Sequence, residues 1–259
     1  MINRRVLLAG IAGAPLARAS AAGLPLAARP LSRSNLAWWR ARHEAKLAEI
    51  RSRKIRLVFL GDSITQQFEL DGPAPWQRYR PVWEHFYGGR DALNLGFIGD
   101  ATSHLLWRIE NGEVAGLSPR GAVVLIGANN LGRLRWSAPD TLLGIDAVLQ
   151  ATRQRLPQTP ILLLSVLPSD RGAWVEETAG AINAGLAHRY GEDKVAGVRL
   201  RAVDGLFRRQ GRIDTALFRD PLMTPPAPAL HPSPEGMARL AAAIEPEIAA
   251  MMGDAPRRV

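Results

Sequence analysis

The sequence predicts an α/β fold built on a five-stranded parallel sheet. Three observations lead there: short runs rich in Val, Ile and Leu recur along the chain, helical spacing separates them, and the chemically capable residues stand directly after the runs. Strand, helix, strand in alternation covers both faces of a sheet, so each strand reads as a nearly unbroken apolar run. At 259 residues and 47% apolar composition, the chain is the size of one α/β domain with a sizeable core. No second domain is required.

Taken in order, residues 1–21 read as a signal peptide. Met1-Ile2-Asn3-Arg4-Arg5 precedes an apolar run over residues 6–16, and the small residues around Ala17-Arg18-Ala19-Ser20-Ala21 follow. The paired arginines resemble a twin-arginine export signal. The apolar run is short for a membrane anchor, and nothing later is long enough to span. The expectation is a periplasmic or secreted protein with no stable membrane span after processing.

Residues 22–34, rich in Pro and Ala, read as a tether, and 35–252 as the folded domain. Leu36, Trp39, His43, Leu47 and Ile50 recur at steps of three and four and predict an amphipathic helix. Strands are predicted at 55–60, 92–95, 122–126, 161–166 and 198–203. Between them, Leu142, Ile145 and Leu149 keep helical spacing, and 173–190 is a crossover helix. Six prolines between Pro221 and Pro234 impose a loop. Met237, Leu240, Ile244, Ile248 and Met251 line a last helix that Pro246 is expected to kink or break.

Composition excludes several classes of function. The formal charge is +9, and three of those charges, Arg4, Arg5 and Arg18, lie in the leader. The remaining charge of about +6 is spread out, so it describes a solvated basic surface and not a nucleic-acid groove. Cysteine is absent, which removes disulfides, thiolate metal sites and a cysteine nucleophile together. The five histidines lack paired metal-ligand spacing, and the Gly-rich turns lack the Gly-Lys-Ser/Thr ending of a phosphate loop. No metal and no cofactor is implied.

In an open parallel sheet, reacting groups gather at the carboxyl ends of the strands. There stand Gly61-Asp62-Ser63-Ile64-Thr65, Gly96-Phe97-Ile98-Gly99-Asp100 and Gly127-Ala128-Asn129-Asn130, with His231-Pro232 after the proline loop. A hydroxyl, amide donors and an imidazole are what acyl transfer needs. Taken alone, each residue has a plainer reading. Ser63 suits a helix N-cap as well as a nucleophile, Asn129 suits a turn, and Gly99 suits a positive-φ position. Asp62 and Asp100 read as loop organisers, and His43, His85, His104 and His188 as packed or surface side chains.

The four blocks occur in the order and positions of the SGNH hydrolases, also called GDSL esterases, and the resemblance covers residues 36–251. It is nearest to the branch containing the catalytic subunits of platelet-activating-factor acetylhydrolase Ib. The specific part is the run from Asn94-Leu95-Gly96-Phe97-Ile98-Gly99-Asp100 to Leu106-Trp107-Arg108-Ile109-Glu110-Asn111-Gly112-Glu113. The resemblance implies a three-layer α/β/α, flavodoxin-like fold with Ser63 as nucleophile and His231 as base. Ser63, Gly99 and Asn129 become the oxyanion donors, with Asn130 in support. The family's aspartate three residues before this histidine is replaced by Pro228. Three explanations stand open: Asp220 folds back over the proline loop as the third member, a backbone carbonyl takes the role, or catalysis has decayed.

The function expected is hydrolysis of short-chain, acetyl-type esters with carbohydrate alcohols favoured, and Trp107 and Trp136 are candidate sugar-stacking faces. The alternatives are a lysophospholipase-like lipid esterase, a glycan O-acetyltransferase and a catalytically weakened domain that binds acylated glycans. The partner expected is a small-molecule or glycan ester.

Overall fold

A computed structural model of the chain describes residues 23–258. The segment read as a signal peptide lies outside them. Helix α1 (Ala37–Ser52) leads to strand β1 (Leu57–Gly61), and the short helix α2 (Ser63–Gln66) and α3 (Tyr79–Tyr87) lead on to β2 (Ala92–Gly96). Helix α4 (Thr102–Arg108) precedes β3 (Gly121–Leu125), α5 (Ala128–Gly132) and α6 (Ala138–Arg155) precede β4 (Ile161–Leu164), and α7 (Ala173–Tyr190) precedes β5 (Val198–Arg201). A minimal hairpin, β6 (Arg208–Arg209) with β7 (Arg212–Ile213), and helix α8 (Pro234–Met252) follow.

The five strands pair in parallel in the order β2-β1-β3-β4-β5. The chain runs one way from β1 to β2 and the other way from β3 onward, so β1 and β3 flank a topological switch point. The crossover helices before and after the reversal, α3 on one side and α4, α6 and α7 on the other, therefore cover opposite faces, and α8 returns to the face of α3. Side chains of β1 record this by alternation. Val58 and Leu60 join a core with Leu105 of α4, Ile145 of α6 and Ile182 of α7. Leu57 and Phe59 join the other core with Phe86 of α3 and Leu240 and Ile244 of α8.

Helix α1 closes the open edge at β2. Arg42 on the helix and Arg53 just after it donate to edge carbonyls, Arg42 Nε to Gly96 O at 2.9 Å and Arg53 Nη2 to Ala92 O at 2.8 Å. An edge occupied in this way is no template for a further strand. The face it buries carries charge as well as apolar groups, because Lys46 lies beneath it paired with Glu49 at 2.9 Å and Glu69 at 2.8 Å.

Three sequence expectations are corrected. The predicted strands 161–166 and 198–203 end early, at Leu164 and Arg201, because the N–H groups of Val203 and Asp204 turn onto Ser165 Oγ and Val166 N–H turns onto Asn183 Oδ1. Pro246 does not break α8. A proline inside a helix costs roughly 3 kcal/mol, whereas each large apolar side chain buried beyond it returns roughly 1.5–3 kcal/mol. Ile248 and Met252 lie beyond it in the core. The stretch 22–34 is no free tether where it is described: Ala27 and Ala28 are buried, Leu31 N–H donates to Ser103 O, and Ala27 O accepts from Thr102 Oγ1.

Candidate active site

Strand β1 ends where the backbone must pass close to its neighbours. A Cβ on Gly61 would meet Thr65 Oγ1 at 2.1 Å and Leu125 O at 2.6 Å, and one on Gly96 would meet Gln66 N at 2.2 Å. Only glycine fits either position, so α2 packs tightly over the ends of β1 and β2. Asp62 is the N-cap of α2, its carboxylate accepting from Ile64 N–H at 2.9 Å. The cap reading of Ser63 therefore gives way: Ser63 is the first helical residue, and its hydroxyl is left for another task.

That hydroxyl lies 2.9 Å from His231 Nε2. On the far side of the ring, His231 Nδ1 lies 2.8 Å from Asp220 Oδ1. Asp220 Oδ2 accepts the backbone N–H groups of His231 at 2.5 Å and of Leu230 at 2.9 Å. Of the groups considered in place of the aspartate that Pro228 displaces, it is Asp220 that folds back over the proline loop to contact Nδ1. The proline loop leaves Asp220 and returns to His231, and it is stitched at its base by Arg219 N–H to His231 O, Ser233 N–H to Leu217 O and Ala227 N–H to Asp220 O. Burial works to raise the Asp220 carboxyl, but the hydrogen bonds and charge of His231, with the Leu230 N–H, outweigh it and hold the group below its ordinary range. An ionised carboxylate only accepts, so it fixes the proton on Nδ1 and turns the Nε2 lone pair toward Ser63.

The amide donors converge from the other strand ends. Gly99 sits at φ +74°, and neither its N–H nor that of Ser63 donates to any acceptor among the described residues. Asn129, buried in α5, donates from Nδ2 to Asp100 O at 3.0 Å, with a stretched contact of 3.5 Å to Asp62 Oδ2. Asn130 accepts Thr102 N–H at 3.0 Å and donates to Thr102 Oγ1 at 2.7 Å, which clasps α5 to the loop carrying Gly99. Ser63, Gly99, Asn129, Asp220 and His231, gathered from widely separated stretches of sequence, thus meet at one end of the sheet.

Beneath them lies a layer that sequence reasoning missed. Arg108 is fully buried and donates to Gly61 O at 2.9 Å, Leu95 O at 3.0 Å and Asp100 Oδ2 at 2.8 Å, and it also pairs with Glu113. Asp100 Oδ1 accepts from Arg33 Nη1 at 2.8 Å and Trp39 Nε1 at 2.9 Å, and Glu113 meets His43 Nδ1 at 3.1 Å. The signal was present, since the 94–113 block is what made the resemblance specific, but its charges find partners 61 and 67 residues away. Burial, with Asp100 nearby, pushes the Asp62 carboxyl up to about 7 against the Ile64 N–H and the Arg171 and Arg108 guanidiniums. Burial also pushes His104 down to about 4, and its Nδ1 accepts Ala101 N–H at 2.9 Å as a neutral ring should. His85 Nε2 faces Arg258 O, and His188 is exposed on α7. Trp107 is half-buried, its ring packing 5.4 Å from Trp39 and 5.3 Å from His43.

A family model described as the GDSL-like Lipase/Acylhydrolase family matches residues 59–239. Platelet-activating factor acetylhydrolase IB subunit alpha1 of Homo sapiens is 33% identical over 130 residues, which cover 50% of this chain and 51% of that protein. Subunit alpha2 of Rattus norvegicus is 30% identical over 170 residues, 65% of this chain and 68% of that protein. The chain thus spans about half the length of the alpha1 relatives it matches. Among solved structures, a GDSL-like lipase from Bacteroides thetaiotaomicron aligns with a TM-score of 0.61 at 18% identity, covering 81% of this chain and 97% of its own. A carbohydrate esterase family 3 protein from Talaromyces cellulolyticus aligns with a TM-score of 0.54 at 17% identity, covering 78% and 99%. At such identities the likeness is one of fold.

Proposed function

The chain belongs to the GDSL-like lipase/acylhydrolase family, and from that premise we propose that it is a serine esterase with Ser63 as nucleophile, His231 as base and Asp220 as the residue that orients the base. The observation carrying this reading is the continuous line of contacts from Ser63 Oγ through both ring nitrogens of His231 to Asp220, at 2.9 and 2.8 Å. Ser63 Oγ attacks the ester carbonyl carbon while Nε2 takes its proton, and the carbonyl oxygen becomes an oxyanion. The free N–H groups of Ser63 and Gly99 and the Asn129 amide hold that charge. As the C–O bond breaks, the imidazolium returns the proton to the leaving alcohol. Water, deprotonated by His231, then releases the acyl group from Ser63.

The proposed substrate is a short-chain, acetyl-type ester. The name acetylhydrolase borne by the curated relatives supports the acetyl group. A carbohydrate alcohol is favoured, with Trp136, held beside α5 by its backbone N–H to Asn130 O at 2.8 Å, and Trp107 as stacking faces. The relatives' names support a second reading, in which the alcohol is a glycerophospholipid. Deacetylation of acetylated xylan against an acetyl lysophospholipid discriminates the two. Export to the periplasm or medium is part of the proposal and rests on the basic, apolar and small-residue order of residues 1–21. Sequencing the N-terminus of protein recovered outside the cytoplasm checks it.

The decisive experiment is a fluorophosphonate probe with p-nitrophenyl acetate kinetics. Wild type is expected to be labelled at Ser63 and to turn over the ester, and Ser63→Ala to do neither. Unchanged turnover in folded Ser63→Ala overturns the assignment.

A further inference from the structure

The loop that carries His231 also bounds a second hollow. Pro75, Arg78, Arg219, Leu222, Ser233 and Glu235 line a cavity of about 450 Å³. Arg219 is 5% exposed, yet it forms no salt bridge among the described residues, and its Nε and Nη1 are buried without a hydrogen-bond partner. Its guanidinium lies 4.1 Å over the Trp76 ring and 5.9 Å from that of Tyr79. Aromatic faces hold the plane of a guanidinium but accept few of its N–H bonds. A buried cation with unmade hydrogen bonds is unfavourable unless something supplies the missing acceptors.

The cavity's other charges leave that demand unmet. Arg78 stands on its rim in the left-handed region, at φ +69°, where non-glycine residues are strained. Among the described residues Glu235 is the one carboxylate lining the hollow, and it is already 3.5 Å from Arg239 Nη2. Two arginines thus line a hollow whose one acid among the described residues is paired with Arg239.

We propose that this cavity binds an oxyanion, a carboxylate or phosphate group, gripped by Arg219 and Arg78. The forked N–H groups of arginine match the paired oxygens of either group. The site is coupled to the candidate active site through the backbone: Arg219 N–H donates to His231 O at 2.8 Å, and the next residue is Asp220. The oxyanion is either borne by the alcohol part of the ester substrate or free in solution as an effector. Both sources share the chemistry that Arg219 recognises.

Inorganic phosphate, titrated into the full chain at constant ionic strength set with chloride, tests the binding. Phosphate is expected to raise the Tm of wild type and of Ser63→Ala alike, as any ligand of the folded state must. Arg219→Met is expected to fold at least as stably without phosphate and to lose most of the rise. Arg78→Ala, which alters only an exposed side chain, is expected to weaken the response several-fold. No phosphate-specific rise in wild type, or an undiminished rise in folded Arg219→Met or in Arg78→Ala, overturns the proposal.

Kinetics identify the source, and this arm alone rests on the esterase reading, so failure of that reading leaves the thermal result standing. Phosphate that competes with a phosphate-bearing acetyl ester while leaving neutral p-nitrophenyl acetate untouched marks the cavity as the seat of the substrate's own anion. Phosphate that changes turnover of the neutral ester marks a free effector.

Discussion

Asp220 and Asp62 are carboxylates on either side of the proposed reacting pair, and their environments drive them in opposite directions. Asp220 accepts from Nδ1 and from two consecutive backbone N–H groups, so it is ionised across the working range. Replacing it by Asn preserves the shape and removes the charge that fixes the ring's tautomer. Asp220→Asn is therefore expected to lower kcat on p-nitrophenyl acetate by about 10³- to 10⁴-fold, read by steady-state kinetics, with a folded circular dichroism spectrum. A fall of less than tenfold would return the orienting role to some other group. Asp62 is raised to about 7, above the 3.8 of its unfolded state, so between about pH 4 and 7 the folded protein holds a proton that the unfolded chain has released. Its contribution to stability thus declines as pH rises through that window, whereas Asp220 contributes above its unfolded value and loses that contribution as pH falls through its folded one. Asn keeps the cap to Ile64 N–H and abolishes the titration. Asp62→Asn is accordingly expected to flatten the decline in Tm from pH 4 to 7, measured by thermal melts in a buffer series.

The block from β2 through α4 works as one element, because Arg108 ties the ends of β1 and β2 to Asp100 and Glu113 in a space closed to water. Removing one partner of a buried ionic network leaves the others uncompensated, at a cost of about 3–5 kcal/mol. Arg108→Met should lose stability of that order in urea unfolding, far beyond an exposed substitution such as Arg40→Met. Legibility in the sequence follows the same division. Helix α7 is periodic and bounded by Gly172 and Gly191, so residues 173–190 were readable to the residue. Ser63, His231, Asn129 and Gly99 could be named as candidates because their blocks, taken together and in order, resemble the SGNH pattern, whereas each alone has a plainer reading as cap, turn or positive-φ residue. Asp220 was one of three options, since nothing local says that a chain will double back over 11 residues to Nδ1. The shared grip of Arg33, Trp39 and Arg108 on Asp100 went unread because such partners are set by tertiary packing, which leaves no periodicity behind. The ends of β4 and β5 were misjudged because hydroxyl and amide side chains, Ser165 and Asn183, take over ladder donors that apolar composition alone assigns to strands.

At the scale of the molecule, the sheet holds the candidate site from one side and the leading stretch of the domain holds it from another. Arg33 reaches Ile98 O at 2.8 Å and Asp100 Oδ1 at 2.8 Å, the residues that flank Gly99, and Ala27 O accepts from Thr102, which Asn130 also grips. A Cβ on Gly99 would lie 3.3 Å from the Arg33 guanidinium, so that cation stands directly against the loop proposed to bind the oxyanion. Residues 24–34 are thus a strap across the amide donors. A chain beginning at Asn35 keeps every strand, Ser63, Asp220 and His231, yet it loses the strap's buried alanines and leaves Asp100 with Arg108 and Trp39 alone. Such a truncation is expected to fold with a lowered Tm. Its kcat on p-nitrophenyl acetate should fall about 10- to 100-fold with little change in KM, because a loosened donor acts on the transition state more than on the bound ester. Arg33→Ala in the full chain should reproduce most of the kcat effect with a smaller change in Tm, which separates the strap's positioning of Gly99 from its packing. Wild-type kcat in both variants would show the strap to be packing alone.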